Sequence, residues 1–284
     1  IFQNKNITVK GNYTETYNGF RKMLISGDLT ETILDTHTLN IVGASTETYK
    51  NNRKITISGN LSESITGNKT LIVTGDNFET VKNNKNVLIT GNLTETMTGT
   101  HIVDVTGHTT EVYRINRFIT TDGNLTETIS NGSNVVIKGN YNENCNGFRT
   151  VKISGHLIET ISGRNNFTVL NESVETYKNN RSITISGNLS ETISGAANLK
   201  YFSKYNLSVS GNTNIVYDKN RTIVISGNLL ETITGTRTIL VSGNNIEQYE
   251  ADRTIIISGN VTETVTGTRD LHTVSYTHLT LPTT

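Results

Sequence analysis

Tryptophan is absent from this chain, proline and cysteine occur once each, and aromatic residues make up 6% of its 284 residues. Each shortage excludes something. A globular domain of this length draws on roughly half apolar residues; here the figure is 33%, which rules out a thick core and leaves a thin one spread along an elongated molecule. A single cysteine cannot build an intrachain disulfide framework. Cys145 takes a repeat position otherwise held by Met, Ile, Val or Tyr, so it reads as a small buried hydrophobe rather than a reactive thiol. No apolar run approaches the roughly 20 residues that a membrane-spanning helix needs, and no signal-peptide pattern opens the sequence. Neither sign of charge prevails, since 25 basic and 25 acidic residues are interspersed. Neither a phosphate-binding surface nor a nucleic-acid partner is therefore expected.

What is present is a repeat. Gly11, Gly27, Gly43, Gly59, Gly75, Gly91 and Gly107 are evenly spaced at sixteen positions, and the series continues through Gly155 and, after Asn171, Gly187. Gly19, Gly67, Gly99, Gly147, Gly163 and Gly195 fall midway, with Asp35, Asn51, Asn83, Asn131 and Asn179 at equivalent places. Gly, Asn and Asp tolerate positive φ, so the unit is expected to be an octad, a strand followed by a corner. Numbering each octad from its Gly, two kinds alternate. One resembles GNLLETIT (227–234) with Glu at position five, and the other GTRTILVS (235–242) with an aliphatic residue there and often Arg or Lys at position three. Position seven is apolar almost throughout. A longer period of four octads marks those with Tyr at position seven, such as Tyr17, Tyr49, Tyr113, Tyr177 and Tyr249.

Alternation with period two, β-branched enrichment and a turn former in every octad predict strands. Frequent Gly argues against helix, and the fixed apolar positions argue against disorder, the other state open to a polar, low-complexity chain. The continuous shaft is expected over residues 1–273, with the Glu series interrupted at 195–218, where GAANLKYF, SKYNLSVS and GNTNIVYD lack it and one octad is added. Residues 274–284, VSYTHLTLPTT, hold the only proline, Pro282. They look like the translation of a sequencing adapter at the end of an environmental contig, a tail foreign to the repeat. Because the chain opens at Ile1 rather than Met, it is read as a fragment.

The glutamates restrict how octads stack. In GNLTETMTGT (91–100), Leu93, Glu95 and Met97 share one strand face. Two octads per turn would place every Glu on another Glu about 4.8 Å away, and like charges that close repel by roughly 1 kcal/mol even in water. Three octads per turn, or three chains wound around one axis, put a Glu strand between two strands of the other kind. Glu can then meet Arg or Lys diagonally, a pairing worth perhaps 0.2–1 kcal/mol. About 34 octads at ~4.8 Å would give a trimer of roughly 160 Å, or a single-chain coil of about 55 Å.

The stretches ITGNLTETMTGTHIVDVTG and ISGNLLETITGTRTILVSGN resemble the valine-glycine repeat spikes, VgrG, of type VI secretion and the cell-puncturing spikes of contractile-tailed phages. Matching residues include Val73 with Gly75, Ile89 with Gly91, Ile185 with Gly187, Val241 with Gly243 and Ile257 with Gly259. The resemblance covers about residues 3–273 and implies an all-β, intertwined homotrimeric β-prism, a virion or extracellular location, and other spike components as partners. It does not extend to an oligosaccharide-binding-fold head or a lysozyme-like domain, and a single-chain three-sided β-solenoid is the alternative fold.

No catalytic, cofactor-binding or metal site is expected. His37, His101, His108, His156, His272 and His278 lack the HxH or HxxxH spacing of a metal site and are read as surface or corner residues. Fifteen octad glutamates repeat too regularly to be a catalytic pair, which is one unlike pair in a pocket. Calcium-binding GGxGxD nonapeptides are missing, and sequons such as Asn92-Leu93-Thr94 and Asn188-Leu189-Ser190 follow from the repeat itself. The function expected is mechanical: a rigid, non-enzymatic spike or fibre shaft with a thin apolar axis. The alternative is a monomeric β-solenoid adhesin or ice-binding protein presenting Thr-x-Thr rows such as Thr94, Thr96 and Thr98. A β-helical lyase comes third, for want of long loops carrying acids and bases.

Overall fold

A computed structural model describes residues 4–273; the tail 274–284, read as foreign to the repeat, lies outside the described residues together with His278 and Pro282. Within them every octad does the same thing. Positions three to seven form a short strand, and positions eight, one and two form a corner, from β1 (Lys5–Val9) to β34 (Arg269–Thr273). Each strand pairs in parallel with the strand three octads further along the chain. Thus β12 (Leu93–Met97) lies between β9 (Lys69–Val73) and β15 (Arg117–Thr121), with Glu95 opposite Leu71 and Ile119. Three sheets of twelve, eleven and eleven strands result, the sides of a triangular prism.

The all-β, three-sided octad prism read from the sequence is therefore present, and the two-octad turn is excluded. Within this chain each strand's neighbours are the strands three octads before and after it, the winding of a three-sided β-solenoid.

Alternation turns positions three, five and seven inward. Position seven lies deepest: Ile25, Ile33, Ile57 and Ile89 are 0% exposed. Stacked one above another on successive turns, these side chains make three apolar columns, one of them running Val105, Ile129, Ile153, Tyr177, Tyr201, Ile225 and Tyr249. Cys145 is a buried member of the third column, with Val169 and Ile193, as its repeat position suggested. Burying each such side chain contributes about 1.5–3 kcal/mol, so a thin core suffices when it is repeated every turn.

The corners explain the glycine and asparagine. Among the described residues neither Gly nor any other residue has positive φ, so the expectation that corners need left-handed backbone is corrected. Close approach of successive turns is the physical reason instead. A Cβ on Gly59 would lie 2.6 Å from the carbonyl carbon of Asp35, one turn below, and one on Gly99 would lie 2.6 Å from the oxygen of Gly75. At position two, Asn side chains form ladders: Asn188 Oδ1 accepts from the Asn212 N–H (3.0 Å) and Asn212 Oδ1 from the Thr236 N–H (2.9 Å). Backbone donors that strand pairing leaves free are satisfied there.

The break in the Glu series does not break the winding. Strands β25 (Ala197–Tyr201), β26 (Tyr205–Val209) and β27 (Thr213–Tyr217) make one ordinary turn.

Candidate functional site

The polar half of the interior is the feature that distinguishes this prism from a simple apolar coil. Position five of one octad and position three of the next lie on adjoining faces and both point inward. They meet around the corner as Lys69–Glu63 (2.6 Å), Lys85–Glu79 (2.8 Å), Arg117–Glu111 (3.0 Å), Arg149–Glu143 (2.6 Å) and Arg237–Glu231 (3.1 Å). A second contact crosses diagonally within one sheet, from position three to position five of the next strand: Arg21 with Glu47, Arg149 with Glu175, and Arg221 with Glu247. The diagonal pairs are those the octad pattern predicted. The corner pairs need the prism's bend and could not be read from alternation.

The four-octad period of tyrosine now has a physical meaning. In the spacing Glu-x-Tyr-x-x-x-Arg, the tyrosine hydroxyl donates to the glutamate and the arginine covers the tyrosine ring. Tyr177 Oη donates to Glu175 at 3.0 Å, and the Arg181 guanidinium sits 4.7 Å from the Tyr177 ring centroid and 2.8 Å from Glu175. Tyr249 donates to Glu247 (2.8 Å) beneath Arg253, 4.7 Å from the ring centroid. Tyr49 donates to Glu47 (2.9 Å) beneath Arg53, 5.3 Å from its ring. Buried carboxylates are stable when paired and fully hydrogen-bonded. Burial opposes the ionisation of Glu47, but Arg53, Lys69 and Arg21 outweigh it and hold its carboxyl at about 2. Glu79 is likewise held at about 2 against burial by Lys85, and Glu247 by Arg221 and Arg253.

The other glutamate series has weaker partners. Where a cation would stand in the following octad, Glu31, Glu95, Glu127, Glu159 and Glu191 have His37, His101, Ser133, Asn165 and Ala197. Burial and the nearby Glu111 push Glu127 up to about 7, and burial also raises Glu159 and Glu191. Tyr217 donates to Glu191 at 3.0 Å in place of a cation.

Two of the histidines correct the sequence reading. His37 and His101 are buried, each 8% exposed, at the position that elsewhere holds Arg or Lys; octad phase was the signal that could have found them. His108, His156 and His272 are exposed. Burial lowers the affinity of His101 for a proton. Among the described residues no three His, Cys, Asp or Glu side chains gather as a metal site.

The axis is therefore mixed and not simply apolar as expected: glutamates and their cations alternate there with buried residues such as Leu71, Leu93 and Ile119, beside the three position-seven columns. Along it run two narrow cavities of about 130 and 90 Å³, the first lined from Lys5 to Glu143 and the second from Tyr141 to Tyr249. They have room for single waters among the charged groups.

An octad-repeat β-solenoid with three parallel sheets and an internal ion-pair ladder is the class of protein that this fold defines. Residues 171–194, which form three successive octads, match the Gp5 C-terminal repeat in three copies. That match and the solenoid together bear out the resemblance to phage spike-type repeats read from the sequence. No curated protein and no solved structure matches the chain.

Proposed function

We propose that the chain is a rigid, non-enzymatic shaft segment of a spike or fibre, borne on a virion or a contractile injection machine. The observation that carries this reading is the match to the Gp5 C-terminal repeat over 171–194. It falls within a prism whose three faces repeat without interruption over the described residues. Backbone ladders run parallel to the long axis on all three faces, and the internal ion pairs tie adjoining faces together at the corners. Bending such a prism stretches one ladder and compresses another, so stiffness follows from closure. Other spike components are the partners on this reading, and the chain's contribution is mechanical, with no reaction assigned to it. The test is force spectroscopy of the full chain tethered through its two ends. A stiff rod that resists load until abrupt rupture supports the shaft role, and gradual turn-by-turn peeling at low force opposes it.

A homotrimer is the assembly that the spike resemblance implies, and the Gp5 match favours it as a second reading. Sedimentation equilibrium separates a 31.2 kDa chain from a species three times that mass.

The ice-binding or adhesin alternative rests on outward threonines. Thr8, Thr32, Thr56 and Thr80 stack in one row on the first sheet, but Asp104 ends it. Absence of thermal hysteresis at millimolar protein would remove the ice-binding form of that reading.

A further inference from the structure

Two departures from the repeat meet at one corner of the prism. Position two is most often Asn, and its side chain accepts a hydrogen bond from the position-two N–H one turn further on. Asn116 Oδ1 accepts in this way from Asn140 (2.8 Å), and Asn140 Oδ1 from Arg164 (2.9 Å). At one such place the acceptor is an imidazole: the Gly132 N–H donates to His108 Nδ1 at 3.1 Å. Gly132 is itself the second departure, a glycine at position two directly after Asn131 at position one.

An Asn-Gly step can close on itself, because glycine carries no side chain to obstruct its backbone nitrogen. For ring closure that nitrogen must lose its proton and attack Cγ of the preceding asparagine. A general base has to lie within about 2.6–3.2 Å of the atom that gives up the proton, and His108 Nδ1 is inside that range. Accepting through Nδ1, the ring carries its own proton on Nε2 and has a lone pair free for the transfer. The amide oxygen that fills this place in other corners is far too weak a base to do the same. Asn131 and His108 are both exposed, so water reaches them. The chain's other two Asn-Gly steps are built differently, because in both the glycine falls at position one. Gly147 donates to the Gly123 carbonyl at 3.1 Å, while Asn146 Nδ2 donates to Asp122 at 2.8 Å. Gly19, after Asn18, lies likewise away from the position-two side chains.

We propose that Asn131 is a self-modification site, deamidated with His108 as the general base. The Gly132 nitrogen gives its proton to His108 Nδ1 and bonds to Asn131 Cγ. The bond from Cγ to Nδ2 then breaks, and ammonia leaves with the proton that the imidazole returns. Water, the only co-reactant, opens the resulting succinimide at either carbonyl to give aspartate or isoaspartate. The product alters the corner. Asn131 Nδ2 donates to the Thr106 carbonyl at 2.9 Å, whereas a carboxylate in its place sets acceptor against acceptor. Isoaspartate also lengthens the backbone between two stacked turns. One corner of the prism is thus able to loosen with age while the rest of the ladder stays intact. This inference does not rest on the spike role, and either can fail alone.

The test compares the natural full chain with H108N, which restores the repeat's own acceptor and so keeps the hydrogen bond while removing the base. Both proteins are incubated at neutral pH, and deamidation at Asn131, Asn146 and Asn18 is followed by peptide mass spectrometry. Asn131 is expected to react faster than Asn146 in the natural chain. H108N is expected to slow Asn131 by about tenfold or more and to leave Asn18 unchanged. Equal rates at Asn131 in the two proteins, an equal fall at Asn18, or an Asn131 no faster than Asn146 overturns the proposal. Should H108N not fold, H108Q supplies the same amide acceptor and is judged by the same outcomes.

Discussion

The Nε of Arg149 lies 2.6 Å from Oε1 of Glu143, on the adjoining face of the prism. The same guanidinium also reaches Glu175 on the next strand of its own sheet, so one side chain joins two faces and two turns.

Removing it leaves Glu143 without its cation and Glu175 with Arg181 alone. Arg149→Met is expected to destabilise the prism by about 3–5 kcal/mol. The loss should change little between low and high salt, because buried pairs are weakly screened. Urea denaturation at two ionic strengths checks both the size and the salt insensitivity.

Stability should pass through a maximum in mildly acidic solution. Glu47, Glu79 and Glu247 are held at about 2, below an ordinary carboxylate, so their contribution is present above about pH 4.5 and lost as pH falls toward 2. Glu127 is raised to about 7; its contribution is full below about pH 4.5 and lost as pH rises through 7. Glu127→Gln is thus expected to raise the melting temperature at pH 8, by an effect of roughly 3 kcal/mol at most, and to change little at pH 5. Exposed diagonal pairing would have predicted a modest loss at either pH. Melting curves of both proteins across pH 2–9 decide between them.

Corner glycines should differ according to what lies beneath them. Gly59→Ala drives a Cβ into the Asp35 carbonyl carbon at 2.6 Å, whereas a Cβ on Gly11 meets nothing within 4 Å. The first substitution is expected to cost about 1–3 kcal/mol and the second close to nothing. Denaturation midpoints of the two variants provide the comparison.

Deletions should be tolerated in pairs of octads and not singly. Removing residues 99–106 would bring Glu79 opposite Glu111 and Glu95 opposite Glu127, while removing 99–114 keeps unlike octads opposite one another. The shorter deletion is therefore expected to be the more damaging, a reversal of the usual order, seen as the lower melting temperature by circular dichroism.

Much of this was legible because an octad period fixes three things at once. Strand length, the inward position of Ile89 or Ile185, and the like-on-like objection to a two-octad turn all follow from spacing. The placement of Glu95 on the same face as Leu93 and Met97 was equally plain. That the face is an enclosed, charged lumen was not, since alternation does not show which groups meet around a bend. The Arg149–Glu143 pair depends on the corner angle. Phase would have placed His37 and His101 with Arg53 and Arg117 at position three, inside the prism, where spacing rules for metal sites suggested only the surface. Gly59 is needed for close approach rather than for handedness, a distinction only stacked turns reveal.

The winding itself is tested most directly by the length of the particle. Small-angle scattering from the full chain should give a rod whose repeat region is about 55 Å long, eleven steps of ~4.8 Å. A rod of roughly 160 Å would mean that one chain advances a single strand spacing per octad, as in an intertwined trimer, and would contradict the single-chain prism.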